Sequence, residues 1–171
     1  MMENFQQRIL RAMKLDGSLY EEVEADSNAL MQAILVILIS SFAAGIGSIF
    51  SSGLSGIISG TLSTFVLWLI WAYITYLIGV KFLPEETTQS SYTELLRTTG
   101  FASAPGIIRV LGIIPGIGSI INLIAWIWML AAMVVAVKHA LDYSNMVRSG
   151  AVCILGWIIY VVVSWVLHWI F

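Results

Sequence analysis

The stretch Arg97–Ser119, RTTGFASAPGIIRVLGIIPGIGS, decides how the rest of the chain must be arranged. Beyond Arg97 it carries two prolines and one further arginine, Arg109, within a segment that is mostly apolar. Residues 100–114 are apolar enough to enter a membrane. They are too few to cross one as a straight α-helix, which needs about 20 residues. We therefore expect a short third membrane segment in this region.

The two prolines predict where that segment bends and ends. Pro105 lacks a backbone donor and kinks a helix, and Pro115 stops it. Ala102 and Gly106 are four residues apart, so in an α-helix they lie on one face and allow a neighbouring helix to come close. The stretch predicts a broken helix packed inside a bundle.

The composition of the whole chain indicates an integral membrane protein. Of its 171 residues, 59% are hydrophobic and 11% charged, and the mean hydropathy is +0.92. Soluble domains carry about 25% charged residues. The net charge of −2 gives no reason to expect nucleic-acid binding. A single cysteine, Cys153, excludes an internal disulfide and a multi-cysteine metal site, and we expect no cofactor.

Apolar runs separated by turns and polar loops predict an all-α bundle of five spans. A cytoplasmic N-terminal segment, amphipathic and acidic, occupies residues 1–28, and the membrane domain occupies residues 29–171. We expect the spans at about 29–50, 57–82, 100–114, 120–137 and 149–171.

Charge supports this topology with the N-terminus inside. Five spans place loops 81–99 and 138–148 inside, and 51–56 and 115–119 outside, together with the C-terminus. Seven of the eight basic residues then lie inside: Arg8, Arg11, Lys14, Lys81, Arg97, Lys138 and Arg148. The eighth is Arg109. Inside loops of membrane proteins carry this excess of positive charge.

The N-terminal segment predicts two short helices. Residues 5–14, FQQRILRAMK, have an apolar face opposite a basic one, as in a helix lying on the membrane surface. The alternative is a helix docked on the body of the protein or on another protein. Ser18 and Glu21 have the spacing of a capping box that opens a second helix.

Four acids in that second helix are candidates for binding a basic cytosolic partner: Glu21, Glu22, Glu24 and Asp26. A run of this kind is also typical of a solvated helix face.

Two polar residues stand out within the predicted spans. Arg109 is the one ionisable residue deep in a span, where an arginine costs about 3 kcal/mol or more. It either forms an ion or lipid-headgroup site inside the bundle or snorkels to the outer interface, since the predicted span ends at Ile114. Asn122 is expected to hydrogen-bond a neighbouring span.

One pattern suggests an enzyme. Residues 53–56, GLSG, match the G-x-S-G sequence of rhomboid-type intramembrane serine proteases, and a nucleophilic serine needs a base. His168 would lie on the same side as Ser55. However, Ser55 lies in a connector rich in glycine and serine, and His168 lies between tryptophans typical of a membrane interface. We therefore do not expect an enzyme.

Three stretches resemble the Yip family of Ypt/Rab-interacting multi-span membrane proteins: LYEEVEAD, GFASAPGII and IWMLAAMVVAVKHALDYS. Gly100-Phe101 followed by Pro105 is similar to the element that enters the family's third span. Trp128 and Lys138-His139 are similar to its fourth-span pattern. The likeness is to the short prokaryotic members, which implies five spans, a cytoplasmic N-terminus and the inner membrane of a bacterium or archaeon.

What this resemblance implies is a non-enzymatic protein that shapes, organises or recruits. Our first hypothesis is a scaffold that contacts the lipid bilayer and binds other membrane proteins, its own copies or a cytosolic protein. A second is an accessory subunit of a larger membrane complex, such as an energy-transducing one. A third is a small transporter or channel, although coupled transporters usually carry several intramembrane ionisable groups.

Overall fold

The computed structural model describes the backbone of residues 2–170, and within it the side chains of residues 5–49, 53, 57, 58, 61, 62, 64–159, 161 and 162. Over residues 2–170 the secondary structure is entirely helical. The all-α prediction is thereby confirmed for this range.

Seven α-helices follow one another along the chain. They are α1 (Met2–Met13), α2 (Gly17–Ala25), α3 (Ala29–Gly47), α4 (Ile49–Leu77), α5 (Tyr92–Phe101), α6 (Gly118–Ala140) and α7 (Met146–Ile170). A π-helical turn, Ile78–Phe82, extends α4, and a 3₁₀ helix, Ala104–Ile113, follows α5.

The helix α2 begins earlier than the sequence predicts. Its N-cap is Asp16, whose carboxylate accepts a hydrogen bond from the Ser18 backbone N–H at 3.0 Å. The predicted capping box of Ser18 and Glu21 is therefore wrong. Aspartate and serine are both strong N-caps, and the one that precedes the first helical turn takes the role.

The helices α1 and α2 form a hairpin that packs on the body of the protein. Ala12, Leu19, Tyr20 and Val23 are fully buried in the largest core cluster, together with residues of α3, α5 and α6. Of the predicted apolar face, Phe5, Ile9 and Met13 pack against this cluster, whereas Leu10 is 57% exposed. The alternative of docking on the body is what the structure shows.

The connection between α3 and α4 is short and reverses the chain, since Gly45 lies against Ile57. The helix α3 ends at Gly47, and α4 starts at Ile49. Gly53 interrupts α4 with φ 64° and ψ −175°, a backbone conformation that glycine adopts at low cost. The predicted turn at 51–56 is therefore reduced to this one residue.

The helix α5 is the most enclosed element in the described part of the chain. It opens with a capping box, which the S-x-x-E spacing of Ser91 and Glu94 predicts and in which each side chain bonds the other's backbone. Every residue from Leu95 to Phe101 is buried. Because four of these seven residues are not large hydrophobes, this helix is held by close packing and hydrogen bonds as well as by apolar burial. One such bond joins Trp68 Nε1 to Thr99 Oγ1 at 3.1 Å.

Beyond α5 the segment predicted to be the third span changes its helix type. The structure has a 3₁₀ helix from Ala104, with Pro105 in its first turn, where the prediction has one broken α-helix over 100–114. A proline in the first turn lacks only a donor that would have no partner there. A new helix therefore begins beside Pro105, and the proline does not bend a continuous one.

Three glycines of this segment bring its backbone against small residues of α3. A Cβ atom on Gly100 would lie 2.6 Å from that of Ala33. One on Gly106 would overlap the Ser40 hydroxyl, and Gly112 lies against Gly47. The contact partners are spaced seven residues apart in α3, or about two α-helical turns.

Three helical segments in the described part of the chain are long and apolar enough to cross a membrane: Ala29–Gly47, Thr64–Phe82 and Gly118–Ala140. A shorter apolar stretch covers Met146–Ile159.

The tight contact at Gly100 gives a direct stability test. Gly100→Ala should lower the free energy of unfolding by about 1–3 kcal/mol, since overpacking displaces the helix from Ala33. Gly150→Ala is the matched control, because a Cβ there meets no atom within 4 Å, and helix propensity should make it neutral or stabilising. Thermal unfolding in detergent measures both. Equal effects at the two positions would contradict the close approach.

Candidate functional site

Arg109 lies at the junction of α3, the 3₁₀ helix and α6. Its Nε donates to the Gly106 carbonyl at 3.1 Å, and its Nη2 donates to the Ser40 hydroxyl at 3.0 Å. The Ser40 carbonyl lies 3.4 Å from the same nitrogen. The side chain thus runs back towards Gly106 and away from Ile114, the direction opposite to that expected for snorkelling outwards.

The site lies near the middle of the bundle. Ser40 is the twelfth of nineteen residues in α3, and Met129, whose sulfur is close to Gly106, is the twelfth of 23 in α6. The sequence has no aspartate or glutamate between residues 27 and 84 or between 95 and 141. The guanidinium is therefore held by neutral oxygen atoms of the protein.

The 3₁₀ geometry explains why Arg109 and the glycines share one face. With three residues per turn, positions 106, 109 and 112 lie above one another. Gly106 contacts Ser40, and both Gly112 and the Arg109 carbonyl lie close to Gly47. Two glycines thus let the arginine reach across to α3.

The other predicted packing residues divide between the interior and the surface. Ala102 and Pro105 are buried, and Ala102 belongs to the core cluster that includes α1 and α2. Asn122 is exposed on α6, and its side chain makes no hydrogen bond within the described part of the chain. The expected bond to a neighbouring span is therefore not present there.

A second candidate site is an ion-pair cluster on the α1–α2 hairpin. Arg8, which is 6% exposed, pairs with Glu22 at 2.8 Å and with Asp26 at 2.9 Å, and it also donates to Gln32 at 2.9 Å. Arg11 pairs with Glu22 as well. Two of the four acids proposed for partner binding are thus engaged by arginines of α1.

These contacts stabilise the charged forms of the acids. Hydrogen bonds from Arg11 and then Ser18 lower the pKa of Asp16 to about 2. The Arg11 guanidinium is also the main cause of the lowered pKa of Glu22. For Asp26, the lowered pKa comes first from the Asn28 backbone N–H and then from Arg8.

Arg97 fastens α2 to α5. Its Nε donates to the Val23 carbonyl at 3.0 Å, and its Nη2 donates to the Glu24 carbonyl. These are among the last carbonyls of α2, which has no basic residue in its own final turn. A cation placed there satisfies free carbonyls and interacts favourably with the helix dipole.

Two further contacts tie the hairpin to α6. Trp128 Nε1 donates to the Met13 carbonyl at 2.8 Å, and His139 Nδ1 lies 3.1 Å from the Glu21 carboxylate. Gly17 lies directly against the His139 ring. The hairpin therefore covers the C-terminal half of α6.

Residues 17–170 match the family model described as the Yip1 domain. The chain belongs to the Yip1 domain family. The Yip-family resemblance is thereby confirmed, and the match begins at Gly17, the first residue of α2. No curated protein and no solved structure matches this Yip1 domain chain. The side chains of Ser55 and His168, which form the protease pattern, lie outside the described residues.

Sequence reasoning missed two residues of these sites. Ser40 is one serine among many in an apolar run, and only the fold shows that it faces Arg109. In the sequence, Arg97 is one of seven basic residues on the predicted inside face, and nothing near it in the chain indicates its contact with α2. The last turn of α2 lacks a basic residue, and this is the feature of the sequence that could have indicated a cation from another helix at its end.

Glu24 of this Yip1 domain has a carboxyl whose pKa is raised to about 7. Burial is the main cause, nearby Asp142 and Glu94 add to it, and Arg97 opposes them. Docking of α2 therefore favours the protonated acid. The stability that the neutral carboxyl gives the folded state is complete below the ordinary pKa of glutamate. It is lost as the pH rises through 7, because the carboxyl then ionises in the folded state too.

We expect the melting temperature to fall between pH 5 and pH 8 more steeply for the wild type than for Glu24→Gln. The difference should be about 1 kcal/mol after allowance for solvent screening, or roughly 2–4 °C. Glu86→Gln, at an exposed position, is the control and should keep the wild-type slope. Parallel slopes for the wild type and Glu24→Gln would show that the carboxyl is not buried by docking.

Proposed function

We propose that the protein is a non-enzymatic organiser of other membrane proteins, anchored by five spans with its N-terminus in the cytoplasm. Membership of the Yip1 domain family and the long apolar helices support a Yip-type integral membrane protein. The proposal includes five spans, a scaffold role and a location in the inner membrane of a prokaryote.

The segment from α5 to the 3₁₀ helix is long enough to be the third span. Ten α-helical residues rise about 15 Å and ten 3₁₀ residues about 20 Å. Together they reach about 35 Å, compared with a hydrocarbon core of about 30 Å. With α7 as the fifth span, every loop that carries basic residues lies on one side, in agreement with the positive-inside pattern.

The contact of Arg109 with Ser40 and Gly106 carries the proposal. An intramembrane arginine in a transporter faces cargo or a moving partner. Here it joins the third segment to α3 through bonds within the chain. This use of the charge suits a protein whose bundle holds one shape and presents its outer surfaces.

The inner face of the hairpin is where we place contact with a basic cytosolic partner. Glu21 is 67% exposed at its side chain, compared with 37% for Glu22 and 29% for Asp26. The latter two are neutralised by arginines of α1, and Glu24 is partly buried. Of the four acids, Glu21, which contacts His139 but keeps most of its side chain exposed, is therefore the one we assign to such a partner.

The alternatives are a fixed subunit of a larger complex and a small transporter. A subunit would show one constant partner set at constant stoichiometry. A transporter would depend on Arg109 for flux, because the residue would bind the moving species.

The test is extraction of tagged wild type and Arg109→Leu in a mild detergent, mass spectrometry of the co-purifying proteins, and solute flux into vesicles. We expect both proteins to retain the same membrane-protein partners and both vesicle preparations to show equal flux. Loss of flux in Arg109→Leu, or purification of the wild type without any partner, would contradict the organiser role. Arg109→Lys controls for loss of the charge alone.

A further inference from the structure

The helix α6 presents an amide that has no hydrogen-bond partner among the described side chains, on a surface made of apolar side chains. Asn122 is exposed, and around it Leu123, Ile124 and Trp126 are 62%, 46% and 56% exposed. One turn earlier, Ser119 is exposed too. The outer half of α6 thus displays two polar groups on an otherwise lipid-like face.

This amide lies about one helical turn inside the outer end of α6. Asn122 is the fifth residue of α6, about 6 Å beyond its first residue. The turn that precedes α6 offers no charged residue, since residues 113–121 read IIPGIGSII. Ile114 and Ile120 there are 48% and 57% exposed. The amide is therefore surrounded by surfaces suited to hydrocarbon.

A primary amide in such surroundings favours a partner that both donates and accepts. In lipid, polar side chains such as asparagine join helices by hydrogen bonds that water would otherwise satisfy. An asparagine carries an N–H donor and a carbonyl acceptor, so two copies across a twofold axis satisfy each other. Ser119, Asn122 and Trp126 follow each other at intervals of three and four residues, which places them along one seam.

We propose that two copies of the protein associate through this α6 seam, with Asn122 of each copy bonded to Asn122 of the other. The inference rests on the proposed organiser function and names its partner class as a second copy of the chain. The edge of the exposed surface near Asn122 forms the contact. Ile124, about 160° away around the helix, faces lipid.

Disulfide cross-linking in native membranes tests the contact. The single cysteine, Cys153, is buried and is replaced by alanine to give a cysteine-free background. Asn122→Cys and Trp126→Cys are then compared with Ile124→Cys, which lies at nearly the same depth and is also exposed. Under mild oxidation we expect dimers to form at least fivefold faster at 122 and 126 than at 124.

A second measurement preserves the amide chemistry. Energy transfer between donor- and acceptor-labelled copies in lipid vesicles should show self-association weakened about three- to tenfold by Asn122→Leu, and largely kept by Asn122→Gln. Ile124→Leu is the control.

The outcomes separate this inference from the organiser role. Equal cross-linking at 122 and 124, or unchanged energy transfer in Asn122→Leu, overturns self-association. Cross-links from position 122 to a different protein also overturn it, while supporting an organiser that uses this face for other partners. Failure of the organiser role itself appears separately, as purification without partners of another kind.

Discussion

The backbone of the segment Gly100–Gly112 touches α3, and the remaining packing depends on that contact. Gly100 and Gly106 leave no room for a Cβ atom beside Ala33 and Ser40. Because the two backbones are so close, the third segment occupies little volume. The helices α2, α5 and α6 can then meet around a common core whose members are mostly alanine and valine.

The same contact determines where the charges lie. At mid-bundle it places Arg109 beside Ser40, so that the guanidinium closes the gap between two chain segments. At the Gly100 end it leaves α5 enclosed, with Arg97 directed at the last carbonyls of α2. Arg97 and Arg109 therefore both bind carbonyl oxygen atoms of the backbone. A membrane protein with few charges can use them in this way because unsatisfied carbonyls are costly in lipid.

Much of this architecture could be predicted from the sequence. Composition indicates the membrane, long apolar runs indicate the helices α3, α4 and α6, and the spacing of Ser91 and Glu94 predicts the start of α5. The change to 3₁₀ geometry could not be predicted. Spacing by four residues pairs Ala102 with Gly106, whereas the observed face repeats every three residues and pairs Gly106 with Gly112. Contact with α3 favours the 3₁₀ geometry, and the local sequence pattern carries no information about that contact.

The sequence indicates which residues belong to the candidate sites, but it does not indicate how their side chains are arranged. Arg109 is conspicuous as a lone charge in an apolar stretch, but the direction of its side chain depends on a hydroxyl 69 residues away in the chain. The acids of α2 are conspicuous as a run, but their neutralisation depends on how α1 folds back. Both are consequences of tertiary packing, and sequence spacing carries no information about either.

The central claim is that the segment from α5 through the 3₁₀ helix crosses the membrane. The most direct measurement places single cysteines at Gln89 and at Ile117, both exposed positions, in a Cys153→Ala background, and labels them with a membrane-impermeant thiol reagent. The account predicts labelling of position 89 only from the cytoplasmic face and of position 117 only from the opposite face. Labelling of both positions from the same face would contradict it.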